Sequence, residues 1–97
     1  MNIDWSLNAL ENLEQIIEYI SQDSEINAKK FAGKITDKVL NISLLPKVGR
    51  PVPEAKDKTV REVFLKKYRI IYQQLPDGIK VISIIHGYRN ISDPLEP

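Results

Sequence analysis

The sequence predicts an α+β fold in the order β-α-α-β-β-β: a helical hairpin packed on one face of a small antiparallel sheet. Three observations predict it. Apolar residues recur at three- and four-residue steps up to about residue 45, and at two-residue steps after residue 59. Between them lies PKVGRPVPEAKDK, residues 46–58, with three of the six prolines and no periodicity. Helices segregated from a run of sequential strands point to α+β.

Each element has a local reason. Asn2-Ile3-Asp4-Trp5 alternates and reads as a brief strand. Ser6 follows as a helix N-cap, its hydroxyl placed to accept from an amide of the first turn. Leu7, Leu10, Leu13, Ile17 and Ile20 then form a stripe that Ile16 widens, while Glu11, Glu14 and Glu18 fall off it; this first helix ends near Ser21. Asp23-Ser24 supplies the next cap, and Ala28, Phe31, Ala32, Ile35, Val39 and Ile42 make the second stripe. Gly33 costs that helix roughly 1 kcal/mol relative to alanine and is expected to admit a close approach of the first helix. Pro46 stops the second helix, because the residue before a proline is pushed out of helical geometry. The long Pro-containing loop is expected to be functional rather than merely connecting. Residues 59–65, 68–74 and 79–86 read as three strands, the last (IKVISII) apolar at nearly every position and so central. The tail from Ile91 is expected to fray or to dock on a partner.

Composition bounds the chemistry. The 97 residues, 42% hydrophobic, suffice for one core, so residues 1–97 are expected to form one domain. With no cysteine there is no disulfide, thiolate metal site or thiol nucleophile. One histidine and scattered acids form no recognisable ligand set, so neither a metal nor a cofactor is expected. No apolar run approaches the roughly 20 residues of a membrane span, and MNIDWS does not resemble a secretory signal; a cytoplasmic, membrane-free protein is expected. The net charge of +1 conceals a division. Residues 1–28 hold six acids and no Lys or Arg, whereas residues 29–97 hold all 14 Lys and Arg against seven acids.

The Asp77-Gly78 dipeptide is a strong hairpin signal. A two-residue loop there would pair Tyr72 with Ser83, Ile70 with Ile85 and Arg69 with His86. Directly opposed residues share a sheet face, so Arg69 and His86 are expected side by side, away from the helices. Such a pair suits acid–base work on a phosphodiester or the docking of an anion. In the preceding hairpin Lys66-Lys67 lacks the Gly or Asn of a tight turn, so a loop one residue longer is expected, bringing Arg61 onto the same face. Arg50 is expected to anchor the long loop to a carboxylate of the first helix or to act functionally. Tyr68 and Tyr72 read as core aromatics with hydroxyls reaching the edge.

Four short motifs now stand in order: Pro46-x-x-Gly49-Arg50-Pro51, Val60-Arg61-Glu62, Tyr68-Arg69-Ile70-Ile71-Tyr72 and His86-Gly87-x-Arg89. With a tryptophan-opened helical hairpin before them, they resemble the RelE/ParE toxins of bacterial type II toxin–antitoxin pairs over about residues 3 to 90. The resemblance implies a hairpin-on-sheet fold and a cognate antitoxin as partner, with DNA met only indirectly through that antitoxin. It also implies candidate target- or phosphate-contacting residues. Arg69 and Arg89 match the arginines that RelE-type enzymes use on the phosphate, and Arg61 and His86 stand beside them. RelE's strand lysine pair has no counterpart, Arg61-Glu62-Val63 standing in its place, and Leu95 occupies the position of its late tyrosine. The pattern looks closer to the ParE branch, which implies DNA gyrase as target. The alternatives are a RelE-like endoribonuclease acting on mRNA at the ribosome and an inactive member that keeps only antitoxin binding. A net charge of +1 favours a protein target over ribosomal RNA.

Overall fold

The computed structural model describes residues 2–87 and 93–95. Its elements are β1 (Asn2–Trp5), α1 (Leu7–Ser21), α2 (Glu25–Leu44), β2 (Arg50–Pro51), β3 (Val60–Leu65), β4 (Tyr68–Leu75) and β5 (Gly78–His86). The α+β class and the helical hairpin are as expected. Ser6 and Ser24 cap the helices, their hydroxyls accepting from the amides of Ala9 and Asn27. The strands form one sheet in the order β1-β5-β4-β3-β2, in which β1 and β5 run parallel and the other pairs antiparallel. The two-residue β2 lies within the long loop, where the sequence has no strand period to reveal it.

The main core lies between the helices and the sheet. Phe31, Ile35, Val39 and Ile42 of α2 meet Ile70, Tyr72, Ile79, Val81 and Ile84. On α1 the inward residues centre on Ala9, Leu13, Ile16 and Ile20, whereas Leu7 and Leu10 of the expected stripe are exposed. Gly33 faces open space, so it admits no helix contact. The opposite sheet face is covered by the long loop, whose Val52 and Ala55 pack on Val60, Ile71 and Ile82. Asp93 accepts a hydrogen bond from the Lys56 amide (3.0 Å), so that part of the tail docks on the loop.

Two register expectations are corrected. The β4–β5 loop is Pro76-Asp77, since Leu75 pairs with Gly78. Gly78 belongs to the strand because β1 runs against it: a Cβ there would lie 1.9 Å from the Asn2 carbonyl oxygen. A two-residue slip preserves the faces, but a bulge opposite Ile71 and Tyr72 inserts one residue into β5 and reverses them. Arg69 therefore opposes Ile85, and His86 opposes Tyr68. The bulge sits where β1 ends and α1 takes over as the neighbour of β5. There the Ser6 hydroxyl donates to the Ile82 carbonyl (2.7 Å), and Asn12 accepts from the Ile84 amide (3.0 Å). The second correction is the β3–β4 turn, a two-residue Lys66-Lys67 loop with Phe64 opposite Arg69. Lys66 takes the left-handed conformation (φ 54°) that the tight turn requires. Arg61 consequently opposes Tyr72 and points to the helix side.

Candidate functional site

On the sheet face away from the helices, β4 presents Arg69 diagonally across from Glu62 of β3. Both side chains are buried, and the loop brings Glu54 over them. The Arg69 guanidinium donates through Nε to Glu62 (2.8 Å) and through both terminal nitrogens to the two oxygens of Glu54 (3.1 and 3.0 Å). A further Arg69–Glu62 bond completes the pairing. Arg50, from the edge strand β2, donates through Nε to the other Glu62 oxygen (2.6 Å). The anchor of Arg50 is therefore Glu62 and not a carboxylate of α1. The hydrogen bonds that Glu54 accepts lead in raising the Arg69 pKa above its ordinary value; burial opposes them and Glu62 adds to them. The network fastens the long loop to the sheet.

A second fastening lies on the helix side. The Tyr72 hydroxyl donates to the Pro46 carbonyl (2.6 Å) and accepts from the Gly49 amide (2.9 Å). Burial raises its pKa, against the Gly49 hydrogen bond and the charge of Arg61. Tyr68 and Tyr72 are core aromatics as expected, with the Tyr72 hydroxyl reaching the loop. Arg61 donates to the Gly49 carbonyl (2.7 Å), and its Nε is buried without a hydrogen-bond partner among the described residues. At Gly49 a Cβ would fall 2.6 Å from both the Glu62 carbonyl oxygen and the Tyr72 hydroxyl, which explains the glycine.

His86 stands at the end of β5, exposed, its ring edge-on to Tyr68 with centroids 5.4 Å apart. With Tyr19, Lys67 and Tyr68 it lines a cavity of ≈ 350 Å³ between α1 and the sheet. A second cavity of ≈ 560 Å³ adjoins it and shares Tyr19, Lys67 and Tyr68. Lys30, Lys34 and Lys66 join its lining. A hydrogen bond and charge from Lys66 lower the Lys34 pKa below its ordinary value, with lesser effects of burial and Lys30.

The structure thus disperses the predicted site. Arg69 is paired on the loop-covered face, Arg61 lies under the Pro46–Gly49 segment on the helix side, and His86 lies beside α1; Arg89 is outside the described residues. What the sequence reading missed is the lysine cluster. Lys30 and Lys34 at i, i+4 beside a Lys-Lys turn were its local trace, but only the tertiary fold sets turn against helix. Among the described residues no group of three or more His, Cys, Asp or Glu is placed to hold a metal ion. No helix there is long and apolar enough to cross a membrane.

Comparison with known proteins fits this fold. A family model described as the ParE toxin of the type II toxin–antitoxin system parDE matches residues 3–91. The putative toxin Y4kP of Sinorhizobium fredii is 27% identical over 88 residues, spanning 90% of this chain and 88% of that protein. A solved chain of the chromosomal ParDE system from P. aeruginosa has a TM-score of 0.72 at 20% identity. It covers 89% of this chain and is itself covered over 95% of its length, a likeness of fold. With the family match running through the hairpin and all five strands, the chain belongs to the ParE family of type II toxin–antitoxin toxins.

Proposed function

We propose that this toxin arrests growth in the cytoplasm by binding DNA gyrase, and that a cognate antitoxin neutralises it. The observation that carries the reading is the separation of Arg69 from His86. Cleaving a phosphodiester requires cationic and acid–base groups converging on one phosphate. Here the Arg69 guanidinium is paired with Glu54 and Glu62, and His86 lies across the sheet. A protein target makes no such demand. The antitoxin half of the proposal draws on membership of a toxin–antitoxin family and on the ParDE origin of the structural relative. Arg61 and Arg89 stay in the proposal as candidate target-contacting residues.

The test is a supercoiling assay with purified toxin and gyrase, run beside a translating extract. Inhibited supercoiling with intact mRNA is expected. Cleaved mRNA with gyrase unaffected would overturn the reading in favour of a ribosome-dependent nuclease. No growth arrest on expression would leave a member that only binds antitoxin.

A further inference from the structure

Four lysines converge at one end of the molecule on the helix side of the sheet. Lys30 and Lys34 lie one turn apart on α2, and Lys66 and Lys67 form the β3–β4 turn facing them. None of the four is in an ion pair among the described residues. The like charges press on one another, as the lowered Lys34 value records. Lys66 also holds a left-handed backbone that glycine would take without strain. Crowded, uncompensated cations on a strained turn mark a place where structure serves binding rather than stability.

The lining identifies the anion. The described lining supplies its charge through lysines, flexible point charges rather than the planar fork of an arginine. Ile20, Phe31 and Tyr68 add apolar surface between the charges. The basic area is also short. The next hollow along α1 shares Tyr19, Ile20 and Asn27 with it and is bordered by Asp23, and Glu18 lies further along the same helix. A long polyanion such as a nucleic acid would run onto those acids, whereas a short mixed segment would not.

We propose that the four-lysine cavity receives an acidic, partly apolar segment of the antitoxin, with carboxylates on Lys30, Lys34, Lys66 and Lys67 and an apolar side chain against Ile20 and Tyr68. This rests on the antitoxin reading above. The protein encoded by the adjoining gene is titrated into toxin by calorimetry at low and high salt. Wild-type toxin and Lys29→Glu, an exposed α2 lysine outside the cavity, bind equally. Lys34→Glu/Lys66→Glu binds roughly 10- to 100-fold more weakly and with a shallower salt dependence. The milder Lys34→Ala/Lys66→Gly pair, whose fold is checked by circular dichroism, weakens binding in the same direction. Pyrophosphate displaces the antitoxin no better than chloride of equal ionic strength. Wild-type toxin that fails to bind the adjoining product removes the antitoxin reading and this proposal with it. Wild-type binding that both double variants retain within about twofold overturns the lysine site and leaves the antitoxin reading standing. Displacement specific to pyrophosphate reassigns the cavity to phosphate and overturns the proposal.

Discussion

The Glu62 carboxylate has no solvent exposure and lies between two arginines, one buried like itself and one 64% exposed. Losing one member of a buried pair costs up to about 3–5 kcal/mol, and removal of Glu62 leaves the buried Arg69 guanidinium with Glu54 as its remaining carboxylate among the described residues. An exposed partner is worth at most about 1 kcal/mol. Glu62→Ala should therefore destabilise by several times more than Arg50→Ala, a contrast readable from urea midpoints. Tyr72→Phe strands the Gly49 amide and the Pro46 carbonyl together and should cost about 1–2 kcal/mol in the same measurement. Residue identity made Arg50, Arg69 and Tyr72 legible in the sequence as important positions. Their partners were not: Glu54 and Gly49 reach them through a loop path that no periodicity encodes, and Glu62 through a β3–β4 register one residue from the expected one. The carboxylate for Arg50 was sought on the acidic first helix and lies instead directly across the β2–β3 pair.

At the scale of elements, helices and strand faces were legible because burial imposes a period on them. The bulge was not, because one inserted residue leaves IKVISII apolar at nearly every position and is fixed by Ser6 at the cap of α1 and Asn12 within it reaching β5. That one residue moved His86 to the helix side and dissolved the expected Arg69–His86 pair. The Lys66-Lys67 turn was misjudged for a related reason: lysine occupies a left-handed position where glycine is the usual choice. Lys66→Gly should relieve that backbone and gain roughly 0.5–1 kcal/mol, net of the entropy glycine adds to the unfolded chain. The substitution also tests the charge crowding through pH. Because the Lys34 pKa is lowered in the folded state, the unfolded chain holds that proton to higher pH. Between the folded and unfolded values the unfolded state binds more protons, so stability rises with pH there and the penalty persists below. The raised Tyr72 pKa pulls stability down with rising pH in both proteins, so the readout is the difference: at low salt through the alkaline range the thermal midpoint of the wild type should gain on that of Lys66→Gly. Added salt should narrow the difference.

At the scale of the whole molecule, the sheet separates two surfaces with different tasks. The helix side carries the main core, the tyrosine-lined hollows and the lysines, bordered by Asp23 and by Glu18 of α1; the opposite side carries a smaller core and the ion network under the loop. Beside Tyr19 part of the charge division seen along the sequence becomes a division in space, the lysines on one side and Asp23 and Glu18 on the other. Arg69 and His86 lie on opposite sides of that wall, so their substitutions should act independently. Arg69→Lys loses the two-pronged hold on Glu54. It should lower stability by about 1–3 kcal/mol, with growth arrest declining only as folded protein declines. His86→Ala loses the ring contact with Tyr68, worth about 0.5–1.5 kcal/mol of stability. It should leave gyrase inhibition by the folded protein within about twofold of wild type, and the double variant should equal the two effects combined. Groups sharing one chemical step behave otherwise: losing either costs nearly as much as losing both. If His86→Ala alone abolished growth arrest in a fully folded protein, and Arg69→Lys then added nothing, the two residues would be serving one reaction, and the gyrase reading would fall.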